Sequence, residues 1–254
     1  VRLNHAVFPE VLEASRENMS PEIDTTVFVE DFPCAYFTDG RIARIEYLII
    51  DDEVTRCFHR YLAQGYRRLG RTLYRNVCPD CTGCIPIRIP IDTFLLTKSQ
   101  RRTIRTNKDL TLLVHPPMEL TPERLALFRN YLLTKHPDPD RTPLQDEEFQ
   151  LRIIHYGYAY SLEMDYFLDD RLAGVGIVDV GADAISSNYF YYDTALLRRR
   201  PGIYSILQEI QLAQALGKAY YYLGFLIRDN RKMSYKADFL PHELLIDGVW
   251  QASG

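Results

Sequence analysis

Residues 160–193, YSLEMDYFLDDRLAGVGIVDVGADAISSNYFYYD, leave the backbone few options. Three runs dense in aromatic and β-branched residues are broken by Asp169-Asp170 and by Gly181-Ala182-Asp183, the kind of break that turns one antiparallel strand into the next. The stretch predicts a three-stranded meander. Behind it, ILQEIQLAQALG (206–217) carries apolar residues at helical spacing and ends on a glycine, and AYYYLGFLI (219–227) reads as a strand. Many of the 18 tyrosines fall in two dense groups, SNYFYYD at 187–193 and KAYYYLGF at 218–225, which suit a pleated, half-buried surface.

Strand, strand, strand, helix, strand is the order of the acyltransferase fold that also serves N-acetyltransferases. The expected fold class is α+β: an N-acetyltransferase-like (GNAT) domain over residues 109–254, and a smaller α/β domain over 1–108 that bears a cysteine knuckle and a basic patch. Topology alone does not fix an activity. In the first part, RIARIEYLII (41–50) reads as a strand, and 52–69 predicts one helix closed by Gly70. RTLYRN (71–76) and IPIRIPI (85–91) are short strands around the cysteines, the second an edge or irregular strand because of Pro86 and Pro90. SQRRTIRTNK (99–108) is a basic helical turn capped by Ser99, and Thr121-Pro122 opens a strong helix over 121–136. TLLVHP (111–116) is a strand and PDPDRTPL (137–144) a loop.

At 254 residues and 46% apolar content, the chain can bury a proper core. No stretch approaches the ~18 uninterrupted apolar residues of a membrane span, and VRLNHAVFPEVLEASREN lacks the basic-then-apolar order of a signal peptide. A cytoplasmic location is expected. The net charge of −4 conceals an asymmetry: Arg60 to Lys108 holds eleven basic residues against two acidic ones, a balance of +9 that leaves −13 for the rest. Such a concentration points to a polyanionic or acidic partner, with nucleic acid first.

Five cysteines, three of them in CPDCTGC (78–84), do not form the framework of a secreted disulfide domain. Cys78, Cys81 and Cys84 give C-x2-C-x2-C, and Cys34 in DFPCAYF offers a fourth thiolate. Zinc or an iron–sulfur cluster is the group such a soft set would take, although tetrahedral zinc sites normally use two separated pairs. A knuckle of reduced thiols without metal is the other reading. The six histidines lie on separate predicted elements, and neither G-x-S-x-G nor G-x-x-x-x-G-K-[ST] occurs, which argues against a serine hydrolase and a P-loop nucleotidase. RRPGIY (199–204) partly matches the Q/R-x-x-G-x-G/A loop that seats acetyl-CoA pyrophosphate at a helix start, but Tyr204 stands where a small residue is needed. CoA is disfavoured, and another acyl donor stays open.

The run YLAQGYRRLGRTLYRNVCPDCTGCIPIRIPIDTFLLTKSQRRTIRTN (61–107) resembles the N-terminal signature of the arginyl/leucyl-tRNA:protein transferases. Glycine-aromatic-arginine-arginine, C-x2-C-x2-C-x-P-x-R and serine-glutamine-arginine-arginine follow in that order. GVGIVDVGADAISSNYFYYD, IYSILQEIQLAQALG, YYYLGFLIRDNRKMSYKADFLPHELL and the closing Val249-Trp250 resemble the family's second block. The resemblance implies a cytosolic aminoacyltransferase that moves an amino acid from charged tRNA to the N-terminal Asp or Glu of a protein, creating an N-degron. The length is similar to the bacterial branch, which transfers leucine; SSNYFYYD is nearer the arginine branch, the alternative. Pro201-Gly202 stands where a leucine-glycine pair usually begins the helix. No cofactor is required. A non-catalytic zinc-knuckle RNA-binding protein and an acetyl-CoA-dependent N-acetyltransferase are the rival readings.

The implied reaction is aminolysis of an activated ester, where alignment of two substrates and donors for the oxyanion supply much of the acceleration. An acidic N-terminal side chain calls for arginine, and Arg88 and Arg75, beside the knuckle, are the expected acceptor-peptide contacts. Arg67, Arg68, Arg71, Arg101 and Arg102 are the expected contacts to tRNA phosphates. For proton handling the sequence offers Tyr192 and Asp193 at the end of the central strand, and Lys236 in KMSYKADF, with structural roles as the alternative.

Overall fold

The computed structural model describes residues 2–3, 27–136 and 147–253. The loop expected at 137–144 lies outside them. After β1 (Arg2–Leu3), strands β2 (Val27–Pro33), β3 (Ile42–Ile49), β4 (Arg67–Leu69) and β5 (Thr72–Asn76) form an antiparallel sheet in the order β2-β3-β5-β4. Two short helices, α1 (Asp52–Arg56) and α2 (Phe58–Ala63), stand where one was expected. The helix fails early because Cys57 leaves helical geometry and Gly65, at φ +88, turns the chain. Arg67–Leu69 then extends against β5, and Gly70, at φ +59, serves the turn between β4 and β5 instead of a helix end.

Next come β6 (Ile85–Pro90), α3 (Lys98–Thr106), β7 (Thr111–His115), α4 (Pro122–Lys135), α5 (Glu147–His155), β8 (Ser161–Leu168), β9 (Arg171–Val180) and β10 (Ala184–Tyr192). A 3-10 turn, Thr194–Arg199, leads into α6 (Pro201–Ala215), then β11 (Tyr220–Leu226), a second 3-10 turn at Ser234–Asp238, β12 (His242–Ile246) and β13 (Val249–Ser253). The larger sheet runs β1-β7-β8-β9-β10-β11-β6-β12-β13. The expected meander is β8-β9-β10, and its first turn places Asp169 and Asp170 at positive φ. From β10 the chain crosses through α6 to a parallel β11.

Three details differ from expectation. β6 is an interior strand: Pro86 and Pro90 are tolerated because β12 pairs with it only at Ile87 and Arg88, between the prolines. α3 is capped by Thr97, whose hydroxyl accepts from the Gln100 amide while Gln100 returns a bond to the Thr97 amide, so Ser99 lies inside the helix. The division at residue 108 does not coincide with the sheets, since β6 completes the larger one. Thr121 and Pro122 open α4 as expected.

The core falls into three parts. The largest lies between α6 and the large sheet, and a second joins α1 and α2 to β5 and the sheet end near Tyr158 and Tyr222. The third packs Phe128 and Leu132 of α4 and Leu151 of α5 against Leu172, Val175, Ile177 and Tyr191. Among the described residues no helix is long and apolar enough to cross a membrane.

Candidate active site

β10 and β11 pair at three positions, Ala184↔Tyr220, Ile185↔Tyr221 and Ser186↔Tyr222. Beyond them both registers slip, between Ser187 and Tyr189 in β10 and between Tyr222 and Gly224 in β11, and no further pairing joins the two strands. The opening is filled by cations from elsewhere in the chain. Gly224, at φ +89, makes room for them: a Cβ there would lie 1.3 Å from Nη1 of Arg67 and 3.3 Å from Nζ of Lys236. Arg67 reaches in from β4, donates to the Ser187 carbonyl and lies 5.8 Å from the Phe225 ring. Its Nε is buried without a hydrogen-bond partner, and no carboxylate among the described residues stands in ion-pair contact with it.

Lys236, on the second 3-10 turn, is buried and donates from Nζ to the Phe225 carbonyl at 3.0 Å. Burial and then the Arg67 charge hold its ammonium well below the usual lysine range. From α6, Glu209 closes the floor: its carboxylate accepts from Ser205 Oγ and Tyr221 OH, both at 2.8 Å, and burial raises its pKa. Tyr235 feels Glu209, Tyr192 and Arg67, and burial, followed by the Glu209 charge, pushes its phenol to about 12.

Tyr192 is buried, stacked on Phe190 at 5.2 Å and edge-on to Tyr131 at 5.1 Å, and burial raises its pKa. Asp193 is held at the outer end of β10, where it caps the 3-10 turn through the Ala195 amide at 2.9 Å and pairs with Arg171 at 2.8 Å. Arg67 therefore acts on both Tyr235 and Lys236, Tyr192 acts on Tyr235, and Asp193 is bound as a cap and an ion-pair partner.

The arginines separate into three groups. Arg68 is buried, with Nε on both oxygens of Asp179 at 2.9 Å and its remaining nitrogens on the carbonyls of Gly70, Tyr156 and Ile154. It ties β4 to β9 and α5, and the expectation that it meets a phosphate is corrected: none of its donors faces solvent. Arg67 is likewise turned inward. Arg75 and Arg88, the expected acceptor contacts, each hold a carboxylate of this chain, Glu46 at 2.7 Å and Glu243 at 2.6 Å. Arg88 is further clamped between Tyr220 at 3.8 Å and Trp250 at 4.2 Å. Arg71, Arg101 and Arg102 are exposed.

Cys34, Cys78, Cys81 and Cys84 all line one cavity of about 740 Å³, together with aromatic residues such as Tyr36, Phe37 and Tyr74. Cys81 accepts from Arg41 Nη1 at 3.2 Å and Cys78 from the Arg44 amide at 3.3 Å, while burial and the other three thiols push Cys84 to about 12. The donor types suit a soft metal. The spacing does not suit a single zinc ion: Zn–S bonds of ~2.3 Å bring four sulfurs within about 3.8 Å of one another. Among the described residues, only His115, Glu163 and Asp165 bring three ligand atoms within 4.8 Å. There, Arg124 pairs with Glu163 at 3.0 Å and Asp165 at 2.5 Å and supplies the positive charge itself. The inner wall of the cysteine cavity backs onto Arg67, because the Tyr36 hydroxyl feels its charge and Tyr74 meets the Phe225 ring edge-on.

Sequence reasoning passed over Gly224 and Glu209. An isolated glycine inside the predicted strand AYYYLGFLI signals a close approach to the backbone. Glu209 carries no comparable mark, because its helix places it against a core only the fold assembles. Tyr204, the residue that disfavoured CoA, is buried edge-on to Tyr166 at 5.9 Å.

A meander, a helical crossover and a parallel strand that parts from its neighbour define an N-acetyltransferase-like fold. Residues 32–102 match the family model for the arginine-tRNA-protein transferase N terminus, and 123–246 match that for its C terminus. Aspartate/glutamate leucyltransferases are similar over most of their length. The one from Shewanella oneidensis is 36% identical over 87% of this chain and 92% of its own, and that from Pseudoalteromonas atlantica 31% identical over 87% and 94%. The chain belongs to the arginyl/leucyl-tRNA:protein transferase family and is an aminoacyltransferase. Among solved structures, FemX overlaps loosely, with a TM-score of 0.43 and 9% identity over 83% of this chain and 82% of that one. Family membership displaces both rival readings, the non-catalytic knuckle protein and the acetyl-CoA enzyme.

Proposed function

We propose that the chain transfers leucine from leucyl-tRNA to the N-terminal Asp or Glu of cytoplasmic proteins, creating an N-degron. The observation that carries this reading is the near full-length similarity to relatives named as aspartate/glutamate leucyltransferases. In the reaction the acceptor α-amine attacks the aminoacyl carbonyl, a new C–N bond forms, the C–O bond to the ribose breaks, and the amine proton leaves as the ribose oxygen gains one. Lys236, whose ammonium burial and the Arg67 charge disfavour, takes the proton of the attacking amine. Tyr192, whose raised pKa keeps it protonated, donates to the leaving oxygen. Asp193 fixes the end of β10 that carries Tyr192.

With Arg75 and Arg88 committed to Glu46 and Glu243, recognition of the acceptor carboxylate falls to Arg67, whose Nε lacks a partner behind the cysteine cavity. No step needs a metal, so a soft metal at the cysteines would have a structural part only. The test is transfer of labelled leucine or arginine from charged tRNA to reporters beginning with Asp, Glu, Arg, Lys or Ala. Leucine on Asp and Glu alone is expected. Arginine on the same reporters would move the chain to the other branch, and label on none would overturn the reading.

A further inference from the structure

Within the basic stretch Arg60–Lys108, Arg67 and Arg68 turn inward and Arg75 and Arg88 hold carboxylates, whereas the charges of α3 are open to solvent. On α3, Lys98, Arg101, Arg102 and Arg105 recur at spacings of three, four and seven, one face of a helix, and all are exposed. The opposite face, Gln100, Thr103 and Asn107, is buried, and it anchors the helix to a second segment nearly a hundred residues away. Asn107 donates to the Arg199 carbonyl at 2.9 Å, Arg199 pairs with Asp109 at 2.7 Å, and Arg200 donates to Ser99 Oγ at 2.7 Å. The joined segments, KSQRRTIRTNK (98–108) and TALLRRR (194–200), contain no acidic residue.

We infer that α3 and the 3-10 turn before α6 together form the surface that carries the acceptor-stem phosphates of the donor tRNA, with Arg105 and Arg198 among its working contacts. The inference rests on the proposed use of charged tRNA as donor. Among the described residues neither Arg105 nor Arg198 makes a side-chain hydrogen bond or ion pair, so both charges are available to a ligand. Guanidinium groups on one face of a helix and on an adjoining turn suit a phosphate backbone, which gives affinity and register without sequence readout. The turn also starts at Asp193, directly after Tyr192, so a stem seated on it delivers its 3′ end to the carboxyl end of β10. A committed ion pair at Arg199 and a hydrogen bond at Arg200 hold the second segment in place beneath that stem.

The test is the double variant R105E/R198E, with R231E/K232E, a pair of exposed cations elsewhere on the chain, as its control. Affinity for charged tRNA, measured across a salt series, is expected to fall about tenfold or more at low salt, and the slope of log K on log salt to become shallower by about 1.4–1.8, two contacts at ~0.7–0.9 each. Transfer from an aminoacylated CCA trinucleotide, which has no stem, is expected to match the unaltered protein. Unchanged affinity and slope in R105E/R198E, or an equal loss in R231E/K232E, would overturn the surface while the donor reading stood. Failure of the unaltered protein to transfer from any charged tRNA would instead overturn the donor reading.

Discussion

Gly224 shows how one side chain's absence creates a site. A Cβ here would overlap the Arg67 guanidinium, and the φ of +89 is one that L-residues rarely adopt. Gly224→Ala is expected to destabilise the fold by about 2–4 kcal/mol, combining overpacking with left-handed strain, which urea unfolding would measure. Lys236→Gln keeps length and polarity but removes the amine, and is expected to lower kcat by about 10²–10⁴ while leaving affinity for charged tRNA unchanged. Loss of tRNA binding instead would assign Lys236 a packing role. On the other face of the sheet, burial works against a charged His115, but its contacts with Asp165 and the Pro116 carbonyl prevail and raise its pKa. The stability this adds is complete below the unfolded value near 6.5 and is lost as pH rises through the folded value. His115→Gln should therefore flatten the decline in Tm as pH rises above about 6.5.

At the scale of elements, three attachments hold the framework around the opening. The reciprocal cap of α3 joins Thr97 and Gln100, and Thr97→Ala is expected to cost about 1 kcal/mol, visible as a lower Tm. Arg68 spans β4, β9 and α5, and leaving Asp179 buried alone in Arg68→Met should cost about 3–5 kcal/mol in a denaturant titration. Arg71→Ala, on the exposed neighbour, should be close to neutral. β6 carries Arg88 to a place between β11 and β12, where Tyr220, Trp250 and Glu243 fix it. Its clamped geometry is that of a strand-joining residue.

Across the whole molecule, exposed charge and the inward cations occupy different elements. Cations with solvent access collect on α3 and the turn before α6, and the inward cations, Arg67 and Lys236, occupy the β10/β11 opening. The cysteine cavity adjoins that opening at Tyr36 and Tyr74. Ester aminolysis between two aligned substrates needs no Lewis acid, so chelator-treated protein is expected to retain transfer, with Tm the quantity that responds if the thiols hold a structural metal. Family, meander and crossover were all legible in the sequence, because turn-forming breaks, strand-rich composition and helical spacing are local properties. The roles of the arginines were not. Arg67, Arg68, Arg75 and Arg88 are equivalent as letters, and whether each meets a carbonyl, a carboxylate or an aromatic clamp depends on partners 29 to 155 residues away in the chain. The sequence by itself determined the meander, the crossover and the kind of enzyme; only the tertiary structure decided which cations are satisfied inside and which face a ligand, because a charge's availability is set by desolvation and pairing across distant strands.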